Sequence, residues 1–136
     1  VVVSPFEYAY NGTGFYATEI FFKAVREKYY SINMNKDRTM PFCHLDDVID
    51  ATMQILDVNQ NKLTRKIYNL MGLSFSPEDL VNEITKNIKE FKVDYEPKVN
   101  DNIAARCPHT IEDISSRTDF GFQPKYNNLE ILVKDM

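Results

Sequence analysis

A short apolar strand that runs directly into an amphipathic helix is the feature that most limits how this chain can fold. Residues 40–45 are mostly apolar and include Pro41, which cannot donate to a sheet ladder and therefore predicts an edge strand. Asp46 follows as the predicted N-cap of a helix that ends near Asn59. The apolar positions of this helix make one wide stripe, formed by Val48, Ile49, Ala51, Met53, Ile55 and Leu56.

The rest of the chain repeats this alternation of short strands and amphipathic helices. The clearest helix start is the capping box that begins at Ser76, with Pro77 at the first helical position and Asp79 two residues later. Strands are predicted over residues 1–4, 30–34, 66–70 and 91–95, a loop over 71–75, and helices over 13–28, 76–90, 110–119 and 127–136. The sequence therefore predicts an α/β fold in a single domain covering residues 1–136.

Composition excludes several classes of partner. The 136 residues are 43% hydrophobic, enough for an ordinary core, and carry 16 basic against 20 acidic residues, so we expect no nucleic-acid partner. No apolar run approaches the roughly 18 residues that span a bilayer, so we expect a soluble protein without a membrane partner. Cys43 and Cys107 are far apart, which is typical of an intracellular, reducing compartment. Because the chain opens on strand-like residues at Val1, we also expect it to be a piece of a longer protein.

Three segments together resemble a known enzyme family. They are Gly-Thr-Gly-Phe-Tyr-Ala at residues 12–17, the strand and helix at residues 37–52, and Tyr-Asn-Leu-Met-Gly-Leu-Ser-Phe-Ser-Pro at residues 68–77; residues 113–124 match more weakly. The chain is similar to the C-terminal part of extended short-chain dehydrogenases, and in particular to the NAD-dependent L-threonine 3-dehydrogenases. The resemblance implies the C-terminal portion of a Rossmann-like fold, which forms the substrate-binding lobe.

The same resemblance implies an activity and a cofactor. Enzymes of this family oxidise L-threonine to 2-amino-3-oxobutanoate and pass hydride to NAD, and a homodimer is possible. Their Gly-rich phosphate loop and their catalytic Tyr and Lys lie upstream of the residue that matches Val1. The printed sequence has neither a Gly-x-Gly-x-x-Gly fingerprint nor a Tyr-x-x-x-Lys pair, so the N-terminal dinucleotide-binding half is expected to be absent. We assign no catalytic residue, place the main NAD site outside this chain, and expect a mitochondrial protein in a eukaryote and a cytoplasmic one otherwise.

The resemblance carries site residues onto three positions. Val3 matches an apolar residue of the nicotinamide-side wall, although a buried strand end explains it equally well. Thr13 and Gly14 match the two threonines of a Gly-Thr-Thr-Asp-Tyr-Ala motif that closes over the substrate. Thr13 keeps the hydroxyl and Gly14 does not. The alternative for Thr13 is a helix cap.

The chain departs from the family at the same pocket. Phe15 stands where the family has Asp, and Ala-Arg-Cys-Pro at residues 105–108 stands where it has Asp-Ser-Trp-Pro. Two polar contacts and an aromatic lid are therefore expected to be missing. A pocket built to hydrogen-bond a small polar substrate loses orders of magnitude in selectivity when such groups are removed, so threonine specificity is expected to be weaker.

Two other clusters invite chemical interpretations. Cys43 with His44, and Cys107 with His109, contain residue types that bind zinc or form a nucleophilic pair, yet neither has zinc-site spacing. A buried Cys43, and a His44 that contacts the helix start at Asp46, are the simpler expectations, so no metal ligand is assigned. The three acids Asp46, Asp47 and Asp50 could act as an acid and base pair, but helix capping and dipole compensation explain them more simply.

Two further functions remain open on the sequence. The pattern at residues 37–51 is shared with nucleotide-sugar epimerases and dehydratases, whereas Ser-Phe-Ser-Pro at residues 74–77 favours the threonine branch. A degenerate, non-catalytic binding or oligomerisation module is the third interpretation, and it is favoured by Phe15 and Cys107.

Overall fold

The computed structural model describes residues 1–6 and 16–136, in which short strands alternate with helices. The strands are β1 (Val2–Val3), β2 (Tyr29–Ile32), β3 (Met40–His44), β4 (Leu73–Phe75) and β5 (Lys92–Tyr95). The helices are α1 (Tyr16–Arg26), α2 (Leu45–Asp57), α3 (Pro77–Asn87), α4 (Val99–Ala104), α5 (Ile114–Asp119) and α6 (Leu129–Asp135), with a 3-10 turn at Gln60–Lys62. The predicted α/β class is confirmed. Among the described residues, no helix is long and apolar enough to cross a membrane.

The strands form two small sheets. One has the order β1-β3-β4, with β1 parallel and β4 antiparallel to β3, and the other pairs β2 with β5 in parallel. The edge position predicted from Pro41 is wrong, because β3 is the middle strand. The carbonyl oxygen of Pro41 accepts from the N-terminal amine of Val1, so the proline nitrogen also points to the β1 side and not toward β4. On the β1 side the N–H of Cys43 donates to Val1 O at 2.9 Å, so no hydrogen bond from Pro41 is needed there.

Strand β4 lies where the sequence predicts a loop, and the strand predicted over residues 66–70 is absent. Leu73 and Phe75 alternate into the core, whereas Ile67 is exposed. Gly72 makes this possible: its N–H donates to Phe42 O at 2.9 Å, and a Cβ there would lie 3.0 Å from the carbonyl oxygen of Tyr126. This close approach of two backbone segments determines where strand β4 begins. The pattern of apolar residues in the sequence does not indicate such an approach.

The N-cap of helix α2 lies two residues earlier than predicted. The N-cap is His44, whose Nδ1 accepts from the N–H of Asp46 at 3.2 Å, so Asp46 lies inside the first turn. The helix ends at Asp57, and Asn59 instead caps the 3-10 turn that follows. The predicted contact between His44 and the start of the helix is confirmed.

The remaining helices differ from prediction mainly at their ends. The part of the predicted first helix at residues 13–15 lies outside the described residues, α4 was not predicted, and the last helix is capped by Asn128 rather than Asn127. The helix predicted to begin in a capping box at Thr110 instead begins at Ile114, without a side-chain cap.

The capping box at Ser76 is confirmed, and it gives a prediction for stability. Ser76 Oγ accepts from the N–H of Asp79 at 3.1 Å, and Asp79 Oδ2 accepts from the N–H of Ser76 at 2.9 Å. We expect Ser76→Ala to lower the free energy of unfolding by about 1 kcal/mol, because it leaves a helix N–H without its acceptor. Urea titration measures this loss. Ser76→Thr keeps the hydroxyl and should change the value little; equal losses for the two variants would contradict the capping role.

The main core lies between the sheets and helices α1, α3 and α6. Phe42 stacks on Phe75 with ring centroids 4.1 Å apart, and Tyr16 meets Phe42 edge-on at 6.1 Å. Only part of the predicted α2 face joins a core: Ala51 is buried and Val48 packs beside it. The rest of the apolar stripe is not covered by described residues, and Ile49, Met53 and Leu56 are exposed there.

Candidate functional site

The carboxyl ends of β1 and β3 meet at one edge of the sheet, which is where open α/β sheets bind ligands. Val3 ends β1 opposite His44 and is fully buried. The next residue, Ser4, is also buried, and its Oγ accepts from the N–H of Phe6 at 3.0 Å. The buried end of a strand explains the burial of Val3 and Ser4. A contact of Val3 with a nicotinamide stays a prediction.

The predicted substrate residues Thr13 and Gly14 lie outside the described residues, as does Phe15, so their roles stay predictions. The chain is described again from Tyr16, at the start of α1. Its hydroxyl is buried and has no hydrogen-bond partner among the described residues, and burial raises the pKa of Tyr16 above its usual value. The phenol is therefore neutral, and a ligand or water beside it would satisfy a costly unpaired group.

The segment that replaces the family's Asp-Ser-Trp-Pro is held in place by its preceding helix. Arg38 donates from Nε and Nη2 to the two carboxylate oxygens of Asp101 in α4, each at 3.1 Å. The N–H of Asn35 donates to the same carboxylate at 3.0 Å. The hydrogen bond from Arg38 is the main cause of the lowered pKa of Asp101. This pair fixes α4, and with it the start of residues 105–108.

The other end of that segment is fixed against β4. Ser74 Oγ donates to the carbonyl of His109 at 2.6 Å, and Met71 Sδ accepts from Thr110 Oγ1 at 3.2 Å. Between these anchors, Cys107 packs against the core cluster that contains Tyr16. The structure therefore packs the 105–108 segment against the same core cluster that the start of α1 joins, with a thiol where the family has an aromatic side chain.

Cys43 and His44 are structural residues. Burial, with a smaller effect of the negative Asp47, raises the pKa of Cys43 to about 11, so its thiol stays protonated at neutral pH. The expectation of a small buried hydrophobe at Cys43 is confirmed. Within residues 1–6 and 16–136, no group of three or more His, Cys, Asp or Glu could hold a metal ion.

The acidic cluster of α2 is not a paired acid and base. Asp50 is exposed, whereas Asp47 is buried and accepts from the backbone N–H groups of Lys125 at 2.8 Å and Tyr126 at 3.1 Å. Tyr126 in turn donates to Asp135 of α6 at 2.9 Å. Sequence reasoning missed this connection because the partners are about 80 positions apart and no local pattern marks them.

A second carboxylate ties the segment before β4 to α5 and gives a prediction for pH. Asp119 Oδ2 accepts from Tyr68 OH at 2.6 Å and from the N–H and hydroxyl of Thr64, each at 2.7 Å. These bonds, with that from Tyr68 the largest cause, lower the pKa of Asp119 to about 2. Because the folded pKa lies below the unfolded value, the stabilisation is present above pH about 4 and is lost as pH falls toward about 2.

We expect Asp119→Asn to remove this part of the acid dependence of the melting temperature. Thermal melts across the acid range measure it. Tyr68→Phe removes only the first of the bonds and should leave an intermediate acid dependence. A melting curve for Asp119→Asn with the same acid dependence as the parent chain would contradict this role.

The described residues do not form a phosphate cradle for a dinucleotide. Such a cradle needs a glycine turn that follows a strand and opens a helix. Gly72 precedes β4 and packs against the Tyr126 carbonyl, and Gly121 lies after α5 with φ of 79°. Neither of these two glycines of the described residues therefore lies in such a turn.

Curated relatives carry an epimerase or dehydratase name. The chain is 42% identical over 119 residues to an uncharacterized epimerase/dehydratase of Staphylococcus haemolyticus and 39% identical over 119 residues to one of Staphylococcus aureus. Each match covers 86% of this chain and 37% of the relative. The chain therefore spans little more than a third of their length. No protein-family model matches it.

Solved structures of L-threonine dehydrogenases share the fold. The enzyme of Phytophthora infestans matches with a TM-score of 0.94 and 32% identity, over 98% of this chain and 43% of its own. The GalE-like L-threonine dehydrogenase of Cupriavidus necator, in its apo form, matches with a TM-score of 0.93 and 31% identity, over 98% of this chain and 48% of its own. The enzyme of Trypanosoma brucei matches at 0.91 with 26% identity, over 98% and 42%.

Proposed function

We propose that this chain, which resembles in sequence and fold the C-terminal part of the extended short-chain L-threonine 3-dehydrogenases, acts as the substrate-binding lobe of an NAD-dependent enzyme of that kind. The observation that carries the proposal is the fold match over 98% of the chain at 32% identity.

In this proposal, residues 1–136 form one substrate-binding region and a dinucleotide-binding unit lies outside them. The bound cofactor would accept hydride from the carbon that bears the hydroxyl of L-threonine. Val3 would contact the cofactor, and Thr13 and Gly14 would contact the substrate. The lobe itself would orient and enclose the amino acid. Such an enzyme would act in mitochondria in a eukaryote and in the cytoplasm otherwise, and a homodimer is compatible with it.

The first test uses the chain alone. Mixed with L-threonine and NAD, it is expected to form no NADH, because the described residues hold neither a phosphate cradle nor a proton acceptor beside a substrate hydroxyl. NADH absorbance measures this directly, with an intact L-threonine dehydrogenase as the positive control. NADH formation by the isolated chain would contradict the proposal that the catalytic residues and the main NAD site lie outside residues 1–136.

A second candidate is the corresponding lobe of a nucleotide-sugar epimerase or dehydratase. The names of the Staphylococcus relatives favour it, at higher sequence identity than the structural matches. The two candidates differ in ligand, since one takes a small amino acid and the other a large anionic nucleotide. Calorimetry with L-threonine and with a nucleotide sugar, on the chain joined to a dinucleotide-binding unit, separates them. Binding of neither ligand by a well-folded protein would favour the non-catalytic module.

A further inference from the structure

The sulfur of Met71 is a hydrogen-bond acceptor for the residues that follow the 105–108 segment. Met71 Sδ accepts from the hydroxyl of Thr110 at 3.2 Å and from the N–H of Ile111 at 3.3 Å. A thioether sulfur is a weak acceptor, and oxidation converts it into a polar sulfoxide. The contact between these residues and the start of β4 therefore depends on an acceptor that oxidation changes.

Met71 differs from the other methionines of the chain in this contact. Met34 and Met40 are 2% and 0% exposed, so the core shields their sulfurs from solutes. Met53 is 54% exposed on α2, and Met136 packs against the core from the end of the chain. Among the described residues, Met71 is the only methionine whose sulfur accepts a hydrogen bond. Oxidation at this methionine is therefore the one that breaks polar contacts.

The contact lies where a small solute can reach it. Met71 is partly exposed, and Thr110, which donates to the sulfur, is exposed. The N–H of Ile111 approaches the same sulfur from a partly exposed residue. A dissolved peroxide can therefore approach the sulfur from the side of Thr110.

We propose that Met71 is a site of reversible oxidation, and that formation of its sulfoxide detaches residues 110–111 from the start of β4. Hydrogen peroxide is the oxidant. A sulfur lone pair attacks one peroxide oxygen, so that the S–O bond forms as the O–O bond breaks. The other oxygen leaves as hydroxide, takes the proton of the transferred oxygen and becomes water. The sulfur loses two electrons, and the peroxide gains them.

The new oxygen has no room between the sulfur and its present donors. The two donor atoms lie only 3.2 and 3.3 Å from the sulfur. An oxygen bonded to that sulfur needs a donor at about 2.8 Å from itself, so the donor that meets it has to move outward. Because Thr110 and Ile111 are adjacent in the chain, the movement of one also strains the contact of the other.

The displaced residues are continuous with the 105–108 segment. Ser74 Oγ still donates to the carbonyl of His109, so the segment keeps this anchor to β4 and loses the one at Met71. We therefore expect residues 105–111 to become more mobile, and β4 itself to stay in place. An effect on substrate rests on the proposed function, in which this segment lies at the substrate pocket.

Peroxide treatment of the whole chain tests the proposal by mass spectrometry and hydrogen exchange. Peptide mapping should find one added oxygen at Met71. Exchange at the amide of Ile111 should accelerate by at least about tenfold, because its hydrogen bond to the sulfur is lost, while exchange in α3 stays unchanged. Methionine sulfoxide reductases with dithiothreitol should restore the slow exchange. Dithiothreitol alone reduces oxidised cysteines and leaves the sulfoxide, so it should not.

Two leucine variants are the controls. Met53→Leu removes an exposed sulfur that has no such contact and should leave the response to peroxide unchanged. Met71→Leu keeps an apolar side chain of similar volume without the acceptor. Its exchange at Ile111 should be fast before peroxide is added and should not change afterwards. Melting temperatures establish that both variants fold, and the reductase experiment on the parent chain decides the question if Met71→Leu does not.

Three results would overturn the proposal. Met71 could stay unoxidised when Met53 is fully oxidised, or exchange at Ile111 could stay unchanged in a chain oxidised at Met71. The slow exchange could also return with dithiothreitol alone, or fail to return with the reductases. None of these measurements uses L-threonine or NAD, so a failure here leaves the proposed function standing, and a failure of the proposed function leaves this site standing.

Discussion

Replacing Phe42 with alanine is expected to lower the free energy of unfolding by about 3–5 kcal/mol, the largest effect of any single substitution considered for this chain. Phe42 is almost fully buried, stacks on Phe75 at 4.1 Å and meets the ring of Tyr16. Its removal leaves a cavity where strands β3 and β4 meet α1. Urea unfolding followed by circular dichroism measures the loss, because stability falls linearly with denaturant.

The matched control for that substitution is Phe6→Ala. Phe6 is 61% exposed, so the same chemical change outside the core should alter stability by less than about 0.5 kcal/mol. Phe42→Leu fills part of the cavity and should fall between the two, which keeps the test readable if Phe42→Ala does not fold. A loss for Phe42→Ala no larger than that for Phe6→Ala would show that the core is not organised around these rings.

Asp47→Ala should produce the second largest effect, a loss of about 2–4 kcal/mol. The buried carboxylate accepts from two backbone N–H groups, those of Lys125 and Tyr126, and alanine leaves both without an acceptor. The cost is expected to concentrate at the C-terminal segment, which Tyr126 also links to Asp135 of α6. Hydrogen exchange at Lys125 and Tyr126 should therefore accelerate more than exchange in α3.

Asp50→Ala is the control for Asp47→Ala, because it removes the same charge from the same helix at an exposed position. It should leave stability unchanged or slightly raised, since alanine is the better helix former. Asp47→Asn keeps one acceptor oxygen and should recover part of the loss. Equal effects of alanine at the two positions would mean that helix charge, and not the buried hydrogen bonds, determines the stability of this region.

The sequence predicts the parts of the fold that depend on neighbouring residues. The Ser76 box, the apolar β3 and the helix after it are local patterns, and the structure has all three. The sequence-based predictions are wrong where a contact with a distant part of the backbone determines the structure. Pro41 is tolerated in a middle strand because the N–H of Cys43 makes the bond to Val1. Strand β4 begins beside Gly72 because the Tyr126 carbonyl packs there. Neither contact has a signal within a few residues of the element that it determines.

The candidate site likewise contains some residues that local patterns explain and others whose contacts join distant parts of the chain. Local reasoning explains Cys43 and His44, whereas the links from Asp47 to Tyr126 and from Arg38 to Asp101 join residues more than 60 positions apart. Only the family resemblance pointed to residues 105–108, and the structure adds the anchors that hold them. Thr13 and Gly14 lie outside the described residues, so their contacts with substrate depend on the resemblance alone.

Whether this chain is the substrate-binding lobe of an L-threonine dehydrogenase is tested most directly by NADH formation. The protein to measure is a chimera that joins the dinucleotide-binding part of the Cupriavidus necator enzyme to this chain. NAD binding by the chimera first establishes that it is assembled. With L-threonine we expect NADH to form, at a lower rate than with the intact enzyme, because the 105–108 segment lacks the family's polar and aromatic groups. An assembled chimera that binds NAD yet forms no NADH with L-threonine would contradict the proposal that this chain is a substrate-binding lobe for L-threonine.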